Sequence, residues 1–174
     1  MKKIILDKAK KIKCLICDVD GVLTNGCFYI DNYGNEFKSF YVHDGIGIKL
    51  LITAGIEVAI ITISNSKIID FRVQQLGIKY FFKGQTDKNL AFHKLKTILN
   101  LKNEEFAYIG DDIPDIPVMK QVGLSISVSN ATKQAKKNSI WQTKKAGGYG
   151  AVREVCELIL NSQNKKWDQL KYCN

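Results

Sequence analysis

The stretch Cys14-Leu15-Ile16-Cys17-Asp18-Val19-Asp20-Gly21-Val22-Leu23-Thr24 decides the fold. A short apolar run ends in two carboxylates one residue apart, and a glycine follows at once. Side chains alternate in direction along an extended chain, so Asp18 and Asp20 are expected to point to the same side. Two anions held together are unfavourable unless a cation lies between them or one keeps its proton. Metal-assisted phosphate chemistry needs that arrangement. The bland alternative is a strand running into a solvated Asp-rich turn.

On the amino-terminal side, residues 3–12 read as a short amphipathic helix and 13–18 as the first strand. On the other side, Cys27-Phe28-Tyr29-Ile30 and Glu36-Phe37-Lys38-Ser39-Phe40-Tyr41 flank Asp31-Asn32-Tyr33-Gly34-Asn35, which is a hairpin signature. Helical spacing runs over 45–54, closed by Gly55. Residues 57–62 read as a buried strand, 66–76 as a helix closed by Gly77, and 79–82 as a third core strand. A helix over 87–100 and a strand over 106–109 follow. A helix near 114–121 then leads to a strand over 124–128 and a small helix near 131–137. After Gly147-Gly148-Tyr149-Gly150 comes a helix from 151 to about 162.

Strands alternating with helices predict an α/β fold, a Rossmann-like parallel sheet with helices on both faces. Between Asp18 and Thr62 there is room for a β-hairpin flap and one helix, and not for a separate cap domain. The expected organisation is one domain over 1–163 with its flap at 27–41, then a polar tail over 164–174.

The chain has 174 residues, 45% hydrophobic and 25% charged, the composition of an ordinary globular domain. Asp7, Lys8, Lys10 and Lys11 interrupt the first apolar run too early for a secretory signal, and no segment approaches a membrane span. A cytoplasmic location is the default expectation. Five cysteines show no disulfide spacing. Cys14 and Cys17 would face opposite sides of a strand, which argues against a redox or zinc pair. The net charge of +9 fits a solvated lysine-rich surface and the attraction of an anionic substrate. The basic clusters lack interleaved aromatics, so nucleic acid is not the expected partner.

Ligands of such sheets gather beyond the carboxyl ends of the strands. The apolar runs end in Asp18, in Thr62, in Lys83-Gly84 and in Gly110-Asp111-Asp112, placing an acid pair, a hydroxyl and a second acid pair on one rim. Gly110-Asp111-Asp112-Ile113-Pro114-Asp115 could equally be a helix start with capping aspartates. Together with Asp18 and Asp20, however, up to five carboxylates converge, and hard oxygen donors in that number call for Mg²⁺. Lys88 opens the helix after the third strand and could counter phosphate charge. The Thr62 hydroxyl could donate to phosphate.

The order Asp-x-Asp-Gly-Val-Leu-Thr, strand-end threonine, lysine, Gly-Asp-Asp-x-x-Asp resembles the haloacid dehalogenase superfamily of phosphatases. Gly147-Gly148-Tyr149-Gly150-Ala151-Val152-Arg153-Glu154 narrows the resemblance to a small family of sugar-acid phosphatases of the lipopolysaccharide pathway. The resemblance implies that Asp18 is the nucleophile and Asp20 the general acid and base. It implies Mg²⁺ held by the Asp18 carboxylate, the Asp20 carbonyl and Asp111, with Asp112 and Asp115 supporting them. Lys88 and Thr62 would hold the phosphoryl group. The loop Tyr41-Val42-His43-Asp44-Gly45, with Lys49, Ser64 and Arg72, would hold the sugar acid. This chain departs from the family at His43, Lys49 and Ser64, where arginine is common, and arginine forks grip carboxylates as lysine and serine cannot.

The aromatics Phe28, Tyr29, Phe37 and Phe40 on the flap suggest an oligomer contact. The resemblance implies a homotetramer in which neighbours complete each site and the tail reaches an adjacent one. His93 reads as structural. Two other readings stand beside this one. The first is a phosphatase for a related nine-carbon sialic-type acid phosphate. The second is a receiver-like phosphate-binding module, whose phosphorylated aspartate would lie mid-chain.

Overall fold

The computed structural model describes residues 3–165. In chain order the elements are α1 (Lys3–Ala9), β1 (Cys14–Cys17), β2 (Tyr29–Ile30), β3 (Glu36–Phe37), α2 (Val42–Thr53), β4 (Glu57–Ile61), α3 (Lys67–Leu76) and β5 (Tyr80–Phe82). They continue as α4 (Lys88–Leu99), β6 (Phe106–Gly110), α5 (Ile116–Met119), β7 (Leu124–Ser127), α6 (Lys133–Lys137), β8 (Trp141–Gln142) and α7 (Ala151–Ser162). Six strands form one parallel sheet in the order β5-β4-β1-β6-β7-β8, and β2 and β3 form the separate hairpin. The α/β, Rossmann-like expectation holds.

Because β1 lies mid-sheet, all four of its residues are buried, and alternation sorts them into two cores. Cys14 and Ile16 pack with Ala59, Phe92, Tyr108 and Val118 on the α4–α5 side. Leu15 and Cys17 pack with Leu51, Ile60, Val155 and Ile159 on the side of α2 and α7. The two cysteines therefore face opposite sides, and all four cysteines among the described residues are free thiols.

Several boundaries move. The first helix stops at Ala9. α2 begins at Val42, so Val42 to Gly45 form its first turn rather than a loop, with Tyr41 at the cap. Gly45 and Gly47 are poor helix formers, yet packing overrides propensity. A Cβ on Gly47 would lie 3.2 Å from both Arg153 Cα and Cys156 Cβ of α7. The helix expected near 114–121 is instead a 3-10 turn, Ile113–Asp115, followed by one α-helical turn. Pro114 and Pro117 start these two short segments, where their missing N–H groups cost least. β8 was not foreseen, since two residues carry no periodicity.

The flap pairs only Tyr29 with Phe37 and Ile30 with Glu36. Asp31 Oδ1 accepts from the N–H groups of Tyr33 and Asn35, both at 2.8 Å, which fixes the turn. Phe28, Tyr29 and Phe37 are exposed, whereas Phe40 is half-buried, with the Arg72 guanidinium over its ring. His93 is exposed and lies beside the Phe92 ring. No described helix is long and apolar enough to cross a membrane. Of the expected tail, only Asn164 and Lys165 fall within the described residues; its proposed reach to a neighbour lies outside them.

Candidate active site

The parallel register pairs Cys17 with both Ile60 and Ile109, so Asp18, Thr62 and Asp111 leave the same edge of the sheet. They line a cavity of about 180 Å³ with Asp20, Ser64, Lys88 and Asp115. Lys88, at the first turn of α4, is 3% exposed. Its Nζ donates to Asp18 Oδ1 at 2.8 Å and to Asp115 Oδ1 at 2.7 Å.

Asp115 uses its carboxylate fully. Oδ1 also accepts from the buried Tyr108 hydroxyl at 2.7 Å, and Oδ2 accepts from the N–H groups of Asp111 and Asp112 at 2.8 and 3.1 Å. Gly110 lets this carboxylate tuck against the backbone, since a Cβ there would lie 2.5 Å from Asp115 Cγ. Asp111 differs, in that no described residue donates a hydrogen bond to its side chain. Asp112 is exposed, and its Oδ1 accepts from the Ile113 N–H at 2.8 Å, capping the 3-10 turn.

Oxygens of Asp18, Asp111 and Asp115 lie within 4.8 Å of one another. Three carboxylates thus meet a single ammonium. Burial, then the Asp115 charge, pushes the Asp18 carboxyl up to about 7 despite Lys88. Burial, then the charges of Asp18 and Asp115, pushes Asp111 up to about 8. A surplus of buried negative charge with one carboxylate lacking any donor is the electrostatic signature of a hard divalent cation site. The residues present therefore fit Mg²⁺. The five carboxylates expected to converge all line this one cavity, and three of them, Asp18, Asp111 and Asp115, come close enough to share an ion.

Asp20 lines the cavity, but its Oδ1 accepts from Lys38 Nζ of the flap at 2.6 Å. Thr62 is buried, and its Oγ1 accepts from the Ser64 N–H at 3.2 Å, leaving its own proton free to donate. Behind this loop, Gly147 approaches so closely that a Cβ would collide with the Gly21 carbonyl, while the Gly148 N–H donates to the Val22 carbonyl at 2.9 Å. The glycine-rich stretch thus buttresses the turn that carries Asp18 and Asp20.

The remaining sequence candidates lie apart from the acidic cavity. Val42, Gly45, Lys49 and Arg72 line a second cleft of about 240 Å³ with Ile46, Gln75 and Leu76. Tyr41 and His43 meet edge to face at 5.0 Å at the start of α2. Asp44 is buried and caps α7: its oxygens accept from the Gly150 N–H at 3.3 Å and the Arg153 N–H at 2.7 Å. Each of its carboxylate oxygens thus holds a backbone N–H at the start of α7. A larger groove of about 560 Å³ between α1 and α7, lined by Leu6, Trp141 and Leu158, brings no comparable constellation together.

Sequence reading missed Lys38, Glu36, Ser66 and Tyr108. Glu36 and Lys38 share one side of an extended strand, which was a usable signal; nothing local marks Tyr108 or Ser66.

The profile of the haloacid dehalogenase-like hydrolases matches residues 56–155. The sheet and its acidic carboxyl edge are those of that class of hydrolase. The 3-deoxy-D-manno-octulosonate 8-phosphate phosphatase KdsC of Yersinia pestis is 48% identical over 161 residues, 92% of this chain and 86% of its own length. A solved Legionella pneumophila protein described as a HAD superfamily (subfamily III A) hydrolase is 59% identical, with a TM-score of 0.92 over 93% of this chain and 89% of that one. The 3-deoxy-D-manno-octulosonate 8-phosphate phosphatase of Moraxella catarrhalis, solved with magnesium, phosphate and KDO, is 44% identical, with a TM-score of 0.93 over 97% and 96%. The chain belongs to the 3-deoxy-D-manno-octulosonate 8-phosphate phosphatase family.

Proposed function

We propose that this chain is a Mg²⁺-dependent phosphoric monoester hydrolase that converts 3-deoxy-D-manno-octulosonate 8-phosphate to the free sugar acid and phosphate. One observation carries the reading: Asp18 and Asp111 meet at the sheet edge with surplus negative charge, one oxygen of Asp18 being held by Lys88. The Asp18 and Asp111 carboxylates and the Asp20 carbonyl would hold Mg²⁺. When bound, the ion offsets repulsion between the carboxylate nucleophile and the phosphate.

Asp18 attacks phosphorus through Oδ2, since Oδ1 is engaged by Lys88. The bond from phosphorus to the sugar oxygen breaks as Asp20 gives that oxygen a proton. The aspartyl-phosphate then splits when Asp20 takes a proton from water attacking phosphorus, which releases phosphate and restores Asp18. Lys88 and the free Thr62 proton steady the phosphoryl oxygens. Asp115 positions Lys88 and the Asp111 backbone, and Asp112 supports it by capping the turn that carries Asp115. The family points to lipopolysaccharide sugar synthesis in the cytoplasm, with residues 1–163 as one catalytic domain. Released phosphate, measured over a panel of sugar phosphates, tests the substrate. Faster turnover of a nine-carbon sialic-type acid phosphate would overturn the assignment.

The cleft of Val42, Gly45, Lys49 and Arg72 would serve the active site of a neighbouring copy, in a homotetramer joined through the exposed flap aromatics. Ser64, within the acidic cavity, and the Tyr41–His43 pair would complete the grip on the sugar acid. Light scattering is expected to give the mass of four chains; a monomer that remains fully active would remove any need for a neighbour.

Metal removal has a pH signature. Asp18 and Asp111 titrate near 7 and 8 when folded, against an ordinary value of 3.8. Between these limits the folded, metal-free protein binds more protons than the unfolded chain, so its stability falls as pH rises. With EDTA, Tm is expected to drop between about pH 5 and about pH 8.5, and added Mg²⁺ to raise it more at the higher pH. A metal-induced rise that is equal at both pH values would contradict this placement of charge.

A further inference from the structure

We propose that Lys38 is the positioning residue for Asp20, latching the flap over the active site and dictating which Asp20 oxygen carries the proton. The Lys38 side chain is 1% exposed although it stands on a flap whose neighbours Phe37 and Ser39 are exposed. Its Nζ bridges Asp20 Oδ1 at 2.6 Å and Glu36 Oε1 at 2.8 Å, with the Phe28 ring 4.7 Å away. Glu36 Oε2 in turn accepts from the Ser66 hydroxyl at 2.7 Å, at the cap of α3. A continuous chain of charge-assisted bonds therefore runs from the loop after β4, through the flap, to Asp20.

An ammonium has only protons to offer. While Lys38 occupies Asp20 Oδ1, a protonated Asp20 carries its hydrogen on Oδ2. The same logic holds for Asp18, whose Oδ1 is taken by Lys88. Each reacting carboxylate thus has one oxygen tied to a buried lysine and one left for chemistry. The hairpin pairs through only two residues per strand, too few to hold itself. The ion-pair chain supplies the missing register between flap and catalytic turn, and so fixes the Asp20 rotamer.

The proposal rests on Asp20 acting as the acid, so the test separates the two ideas. The phosphorylation step is followed in single-turnover mixing with Mg²⁺, using a sugar phosphate, whose leaving oxygen needs a proton, and p-nitrophenyl phosphate, whose leaving group does not. Lys38→Met is expected to slow the sugar phosphate about 100-fold and the aryl phosphate only a few-fold. KM should stay within about threefold, and Lys38→Arg should recover most of the rate because it restores a donor to Oδ1. Glu36→Gln should show the same selectivity in milder form. Equal losses on both substrates, or a change confined to KM, overturn the proposal. Asp20→Asn run alongside must itself discriminate between the substrates. If it does and Lys38→Met does not, the latch alone is wrong. If it does not, the acid role falls and the latch with it.

Discussion

Asp18→Asn is expected to keep the fold and lose at least about 10⁴-fold in turnover of any phosphate monoester. The amide is isosteric with the carboxylate but cannot attack phosphorus to leave an acyl phosphate. Structure explains why folding should survive. Asp18 is charged only against the burial that surrounds it and the nearby Asp115 charge, which hold its carboxyl up near 7. Removing that charge relieves repulsion in the metal-free protein, and Lys88 keeps its bond to Asp115 at 2.7 Å. The metal-free variant should therefore melt no lower than the metal-free parent at pH 8. Retained turnover would mean that a different group is the nucleophile.

Asp115→Ala should act in the opposite way, through stability first. The side chain is 1% exposed and its two oxygens take bonds from Lys88, the Tyr108 hydroxyl and two backbone N–H groups. Alanine leaves a buried ammonium with one partner fewer and a buried hydroxyl with no acceptor. Breaking a buried ion pair from one side costs about 3–5 kcal/mol. Urea unfolding should show a loss of that size, with Mg²⁺ affinity reduced because the Asp111 backbone is no longer held. Asp115→Asn should recover part of the stability, since its carbonyl oxygen can still accept. A loss below about 1 kcal/mol for Asp115→Ala would show that these bonds are not what organises the edge.

Which of the late aspartates does which task was not legible in the sequence. Asp111, Asp112 and Asp115 are equivalent as letters. Their roles separate only because Gly110 admits the Asp115 carboxylate beneath the backbone, Asp112 turns outward as a cap, and Asp111 is left without a donor. Asp44 is a similar case. The resemblance places it in a substrate loop, and only the folded chain shows its bonds to the start of α7, far along the sequence. Lys38 went unread because a lysine on a surface hairpin is ordinary until the hairpin folds back onto Asp20.

The parallel sheet, the alternation of strands with helices and the gathering of acids at one rim were all present in the sequence. They follow from local rules: apolar runs of strand length, helical spacing closed by glycine, and strand ends punctuated by reactive residues. Two residues per turn of the pleat also told that Cys14 and Cys17 must part to opposite faces. Only the tertiary structure decided which charges are paired and which are left over. That depends on distances of a few ångströms between segments remote in sequence, and on how much water burial removes from each group. Ion pairing and desolvation have no period along the chain, so no pattern in the sequence could encode them.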